Sequence, residues 1–155
     1  MNTFIVPACA VLARGCAALL LALVAAAGCG SSHPPTVRVS GRITYEGKPL
    51  EAGEVAFQPT LAPDGALLRP AVGPIGPDGT YVLSTFAHGD GIVPGEYAVV
   101  VTSYLGDPLV EELDPSPPPR PSRIPLKYAS PATSGLRATI PANARGRLTF
   151  DFDLE

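Results

Sequence analysis

From residue 37 onward, apolar side chains recur at every second position in short runs, and Pro or Gly interrupts each run. Val37, Val39, Ile43 and Tyr45 alternate with Arg38, Ser40, Arg42 and Thr44. A period of two puts one face in a core and the other in water, which a strand satisfies and a helix does not. Residues 54–58, with Val55 and Phe57 on one face, and 80–84, with Tyr81 and Leu83 inward, repeat the pattern. So do Leu136, Ala138 and Ile140 against Arg137 and Thr139, and Leu148, Phe150, Phe152 and Leu154 against Thr149, Asp151, Asp153 and Glu155. Residues 96–104, EYAVVVTSY, are apolar on both faces, as a central strand covered on both sides requires. No segment of this part longer than about ten residues has helical spacing. Six or seven short strands between turn signals predict an all-β sandwich or barrel.

The interruptions carry their own information. With 19 Pro and 16 Gly in 155 residues, turns are frequent. Glu46-Gly47-Lys48-Pro49 predicts a turn, and Pro63-Asp64-Gly65 and Pro77-Asp78-Gly79 repeat a turn signature. Residues 71–75 contain Gly73 and Pro74 and are expected at a sheet edge. Gly95 is expected to end a tight turn, with Tyr97 anchoring the core beside it, as in a tyrosine corner. The long connection is 105–135, without a convincing strand, a length that implies function or poor order. Its first half is acidic and then Pro-rich, with Glu111, Glu112 and Asp114 before Pro115, Pro117, Pro118, Pro119 and Pro121, and favours extended polyproline backbone. In its second half Ile124, Leu126 and Tyr128 are available to dock on the sheet.

Residues 15–28 read GCAALLLALVAAAG, an uncharged run of about 14 residues behind Arg14. This is too short for a membrane-spanning helix, which needs about 20 residues. It has the parts of a secretory signal. The context Ala26-Ala27-Gly28-Cys29 resembles the lipobox of bacterial lipoproteins, which implies cleavage before Cys29 and acylation of its thiol. Lipoboxes most often carry Leu where Ala26 stands, and an apolar stretch at 4–13 precedes Arg14, so translation from near Val11 is a second possibility. Two other readings of this segment are an ordinary signal with an incidental Cys and an uncleaved anchor. The other cysteines, Cys9 and Cys16, lie inside the segment, so cleavage leaves Cys29 alone, without an internal disulfide partner. The expected organisation is a signal peptide at 1–28, a flexible linker at 29–36 and one β-domain at 37–155.

The ordered motifs VSGRITYEGKPLEAGEVAFQP, PDGTYVLST, DGIVPGEYAVVVTS, IPLKYASPATSGLRATI and LTFDFDL are similar to those of small bacterial lipoproteins with a carboxypeptidase-regulatory-like, or transthyretin-like, domain. The likeness spans nearly all of 37–155 and departs from the family by the acidic, Pro-rich insertion before Arg123. It implies a seven-stranded Greek-key β-sandwich. It implies little about activity, because most such proteins have none assigned and the related domain of metallocarboxypeptidases carries no zinc site.

Without Arg14, ten Lys and Arg stand against 14 Asp and Glu. A mildly acidic domain has no electrostatic reason to seek nucleic acid. His33 is expected in the linker and His88 in an exposed loop. Zinc hydrolysis needs three protein ligands, and neither an HExxH motif nor a second His near His88 supplies them. There is no GxSxG elbow for a serine nucleophile, and residues 150–155 lack the histidine-rich site and closing motif of a transthyretin-like hydrolase. Asp64, Asp78 and Asp90 each precede Gly, as turn residues do. Asp151, Asp153 and Glu155 form a solvated strand face rather than a cation site. Lys127, Tyr128, Thr133 and Ser134 are the candidate binding surface, with loop packing as their competing role. The expectation is a non-enzymatic envelope lipoprotein without metal or cofactor, held to the membrane through Cys29 and acting as a structural or interaction module. Its alternative is a glycan- or peptide-binding accessory module, and a hydrolase with an unrecognised site is the third reading.

Overall fold

The computed structural model describes residues 33–61, 69–106 and 120–155; Cys29, the signal segment, the 63–65 turn and the acidic, Pro-rich half of the long connection lie outside them. The alternation of the first run becomes β1 (Arg38–Tyr45), with Val39 and Ile43 buried and Arg38 and Arg42 exposed. Glu46 and Gly47 both have positive φ, 50° and 74°, the condition for a two-residue type I′ hairpin. The chain therefore returns at once as β2 (Lys48–Pro49), pairing Tyr45 with Lys48 and Thr44 with Pro49. Pro49, expected in the turn, thus sits in the ladder, at a short edge where its missing N–H costs nothing.

Six further strands follow the predicted runs: β3 (Gly53–Leu61), β4 (Ala71–Ile75), β5 (Thr80–Val82), β6 (Gly95–Thr102), β7 (Leu136–Ile140) and β8 (Arg147–Thr149), with β9 (Phe152–Leu154) last. The sheet order is β2-β1-β5-β4-β3-β6-β7, and β8 and β9 lie on the other edge of β1. Every pairing is antiparallel except those of β1 with β8 and β9, which are parallel. No α-helix occurs among the described residues, and the fold is all-β.

Two expectations are corrected. β4 is interior, between β3 and β5, not at an edge. Val72 and Ser84 exchange both backbone hydrogen bonds, and Gly76 donates to Thr80, but Pro74 between them has no N–H to give β5. The proline leaves a gap in one ladder, and the strand stays inside the sheet. The last run is also not one strand. At Phe150 the backbone carbonyl turns toward β1, and Gly41 leaves room for it: a Cβ on Gly41 would overlap the Phe150 carbonyl oxygen. Tyr81 Oη donates to that same oxygen at 2.7 Å. One residue later the Asp151 carboxylate, not a backbone carbonyl, accepts the Arg42 N–H at 2.8 Å. β8 ends and β9 begins across this break.

The sheet curls onto itself. Four strand spacings of about 4.8 Å separate β3 from β9 in the sheet order, roughly 19 Å if the sheet were flat. Yet the Phe57 ring on β3 lies 6.1 Å from Phe150 and 6.2 Å from Phe152, both in edge-on geometry. Phe57 also meets Tyr81 and Tyr97 at 6.3 and 6.4 Å. These rings, with Val39, Ile43, Val55, Val99, Val101 and Leu154, form the core. β6 is the covered central strand that its composition predicted, with Tyr97 through Val101 all buried.

Candidate functional site

Tyr97 is the third residue of β6, which opens at Gly95 after a bend at Pro94, and its buried hydroxyl donates to the Val93 carbonyl at 2.7 Å. This is the tyrosine-corner arrangement, a phenol tied to backbone a few residues upstream. Burial pushes its pKa up to about 12 and that of Tyr81 further still, because neither phenolate is solvated there. Both groups are structural donors.

The predicted surface residues come together where the long connection returns to the sheet. Leu105 N–H donates to Pro121 and Arg123 N–H to Ser103, so the two ends of the connection run side by side. A 3-10 turn, Leu126–Ala129, then seats Tyr128 in the core, and Ile124 before it is also buried. Leu126 is 67% exposed, contrary to the expectation that it docks. Three residues per turn place positions two apart on different sides, so Tyr128 points inward and Leu126 outward.

Around this turn the side chains are spent on the fold. Tyr128 Oη donates to the Glu155 carbonyl at 3.1 Å and accepts the Glu155 N–H at 2.9 Å. Thr133 Oγ1 donates to the Lys127 carbonyl at 2.7 Å. Ser134 is buried, and its Oγ accepts from the Leu136 N–H at 3.4 Å. Lys127 Nζ stands 4.8 Å above the Tyr128 ring, a cation–π contact. The four residues are neighbours, as expected, and the polar groups of Tyr128, Thr133 and Ser134 are turned into backbone.

The loop at 85–91 is organised by Asp90. Its carboxylate accepts N–H groups of Thr85, Phe86 and Ala87 at 2.8, 3.0 and 3.1 Å. Partial burial works to raise its pKa, but the three donors outweigh it and hold the carboxyl below the usual range. His88 is exposed on this loop. Asp78 accepts both the N–H and the hydroxyl of Thr80, the turn role expected of an Asp-Gly pair. Asp153 accepts from Thr44 Oγ1 at 2.6 Å, and Asp151 holds Arg42 as above, so the C-terminal carboxylates fasten the last strand. Among the described residues, no group of three metal-ligating side chains comes together.

Surface depressions lie elsewhere on the described residues. One, about 460 Å³, lies between Gly53, Glu54, Thr102, Ser103, Tyr104 and Arg120, with the Arg120 guanidinium 5.2 Å above the Tyr104 ring. Another, about 450 Å³, runs over Ser40, Arg42, Thr80, Arg147, Thr149 and Asp151. Sequence reasoning named neither, and the second is the more instructive. Its signal was the arginine alternation of β1, but nothing in the spacing announces that β8 lies parallel beside it. The chain matches no protein-family model, no curated protein and no solved structure.

Proposed function

We propose that the chain is a lipid-anchored protein of the bacterial envelope whose β-domain is a non-enzymatic structural or interaction module. The observation that carries this reading is the sequence around Cys29: an uncharged run of about 14 residues after Arg14, then Ala26-Ala27-Gly28 and the thiol. Two or more acyl chains, at about 0.8 kcal/mol per buried methylene, would hold it stably on a membrane. The all-β fold fits the finer architecture we propose, a transthyretin-like Greek-key sandwich. Taking β8 with β9 as one interrupted strand, and β2 as the return of the first hairpin, leaves seven principal strands.

The assignment of a non-catalytic role draws support from how the reactive-looking groups are used. Ser134, Thr133, Asp78 and Asp90 each hold a turn or a loop, and Tyr128 holds the backbone of Glu155. Intact mass spectrometry of the protein from its native membrane fraction tests the anchor. A mass running from Cys29 and carrying acyl chains is the expected result; an unacylated mass, or fatty-acid labelling that persists in Cys29→Ala, overturns it.

A further inference from the structure

The registers on the two edges of β1 arrange its outer face in rows. One row is short: Thr149 of β8, Ser40 of β1 and Val82 of β5 stand side by side. The row before it is long, with Arg147 opposite Arg38. The row after it holds Asp151, Arg42 and Thr80, and Asp153 follows beside Thr44. Short side chains between long ones make a groove across the strands, the depression of about 450 Å³ described above. Its floor spans two strand spacings, about 10 Å. The three guanidiniums share this face with the exposed carboxylates of Asp78, Asp151 and Asp153, and Asp78 is near enough to Arg42 for their charges to interact. Among the described residues no ion pair joins them. Each carboxylate accepts through Oδ1 alone: Asp78 from Thr80, Asp151 from the Arg42 N–H and Asp153 from Thr44. The second carboxylate oxygens, the guanidiniums and the hydroxyls of Ser40 and Thr149 make no hydrogen bond within the described residues. Around Tyr128, by contrast, the polar side chains are turned into backbone.

We propose that this groove, floored by Ser40 and Thr149 between Arg147 on one side and Arg42 with Asp151 on the other, binds a short stretch of uncharged glycan. With positive and negative groups interleaved, a ligand of either net charge meets attraction and repulsion together, so charge selects neither sign. A hydroxyl both donates and accepts. Neighbouring hydroxyls of one sugar ring can therefore donate to Asp151 and accept from Arg42 or Arg147 at once. Hydrogen bonds with an ionised partner are the strong ones. Val82, 45% exposed beside the floor, offers an apolar surface to the C–H groups of a ring. An extended peptide finds less here, because strand edges hold such peptides and both edges of β1 are paired. The proposal names a ligand class for the interaction module and rests on that reading of the domain, but not on acylation of Cys29.

The test is isothermal titration of the full chain, in a detergent without a sugar headgroup, with three neutral probes: maltotriose, cellotriose and tri-N-acetylchitotriose. At least one should bind saturably, and its affinity should change by less than about twofold between low and physiological ionic strength. R42Q/R147Q removes two charged donors and should weaken binding roughly ten- to a hundredfold. S40L fills the floor and should abolish binding. R123Q/R137Q, which removes exposed arginines elsewhere, should leave it unchanged, and thermal melts confirm that each variant is folded. Failure of all three probes to bind overturns the proposal, as does wild-type affinity in R42Q/R147Q or an equal loss in R123Q/R137Q. Tighter, steeply salt-dependent binding of an anionic probe, trigalacturonic acid, also overturns it, by assigning the groove to anions. The readings on which the domain rests fail separately. Shortened probes after incubation, seen by mass spectrometry, would refute the non-enzymatic role and keep the groove as the ligand site. An unacylated chain that still binds a neutral probe refutes the anchor alone.

Discussion

The two edges of β1 are built by different rules. On one edge, β5 pairs in regular antiparallel register, Ser40 with Val82 through Arg42 with Thr80, and the rest of the sheet continues from it to β6. On the other, two three-residue pieces lie parallel, and the gap between them is bridged by a carboxylate, a tyrosine hydroxyl and the space above a glycine. The first edge is held by periodic backbone geometry and tolerates many side chains. The second is held by individual groups, so its stability is concentrated in a few positions.

Removing Phe57 tests what the two edges share, since its ring meets Tyr97 on one side and Phe150 and Phe152 on the other. Phe57→Ala should cost about 3–5 kcal/mol, read by denaturant unfolding, and lower hydrogen-exchange protection on both sides. Gly41→Ala acts on the seam alone, by about 2–3 kcal/mol, because the Phe150 carbonyl must give way. If the edges open separately, amides of β8 and β9 lose protection while the β3–β6 ladder keeps it; equal loss throughout would erase the distinction drawn here.

The tyrosines give a matched pair. Tyr97→Phe leaves the Val93 carbonyl without its phenol, and Tyr81→Phe does the same to Phe150, each at about 1–2 kcal/mol. Their titration gives a pH test. Tyr97 keeps its proton to about pH 12 when folded, whereas an unfolded tyrosine loses it near pH 10. Between these values the unfolded chain binds fewer protons, so stability is intact below about pH 10 and falls as pH rises toward 12. Tyr97→Phe should flatten part of that fall. Glu46→Asn should have the smallest effect, a gain of up to about 1 kcal/mol, because Asn tolerates the positive φ that Glu46 adopts.

The regular edge was also the legible one. Val39, Ile43, Val55, Phe57, Tyr81, Leu83 and the β6 run stand where alternation placed them, because burial on one face is written in single residues two apart. The edge position expected for β4 failed since Pro74 spoils one hydrogen bond and not the strand, a fact that depends on which neighbour its nitrogen faces. The alternation of Leu148 through Leu154 pointed to the right faces but could not reveal the break, which needs Gly41 more than a hundred residues away. The same blindness hid the groove over β1, β5 and β8. Arg38 and Arg147 become neighbours only through a parallel register that no local pattern encodes. Of the surface surmised around Lys127 and Tyr128, proximity was readable, whereas the burial of Tyr128 under the C-terminal backbone was not.

The contact between Arg42 and Asp151 spans 109 positions of the chain. A polypeptide that emerges from its N-terminus makes β1 first and the partners of its second edge last. Until residues 147–155 are available, one side of β1 stands open, with unpaired donors and acceptors that a neighbouring chain can capture. Closure therefore waits on those residues, and a ladder linking segments more than a hundred positions apart belongs to the slow-folding class. A protease that trims those residues would do more than shorten the protein: it would turn a closed molecule into one with a strand on offer.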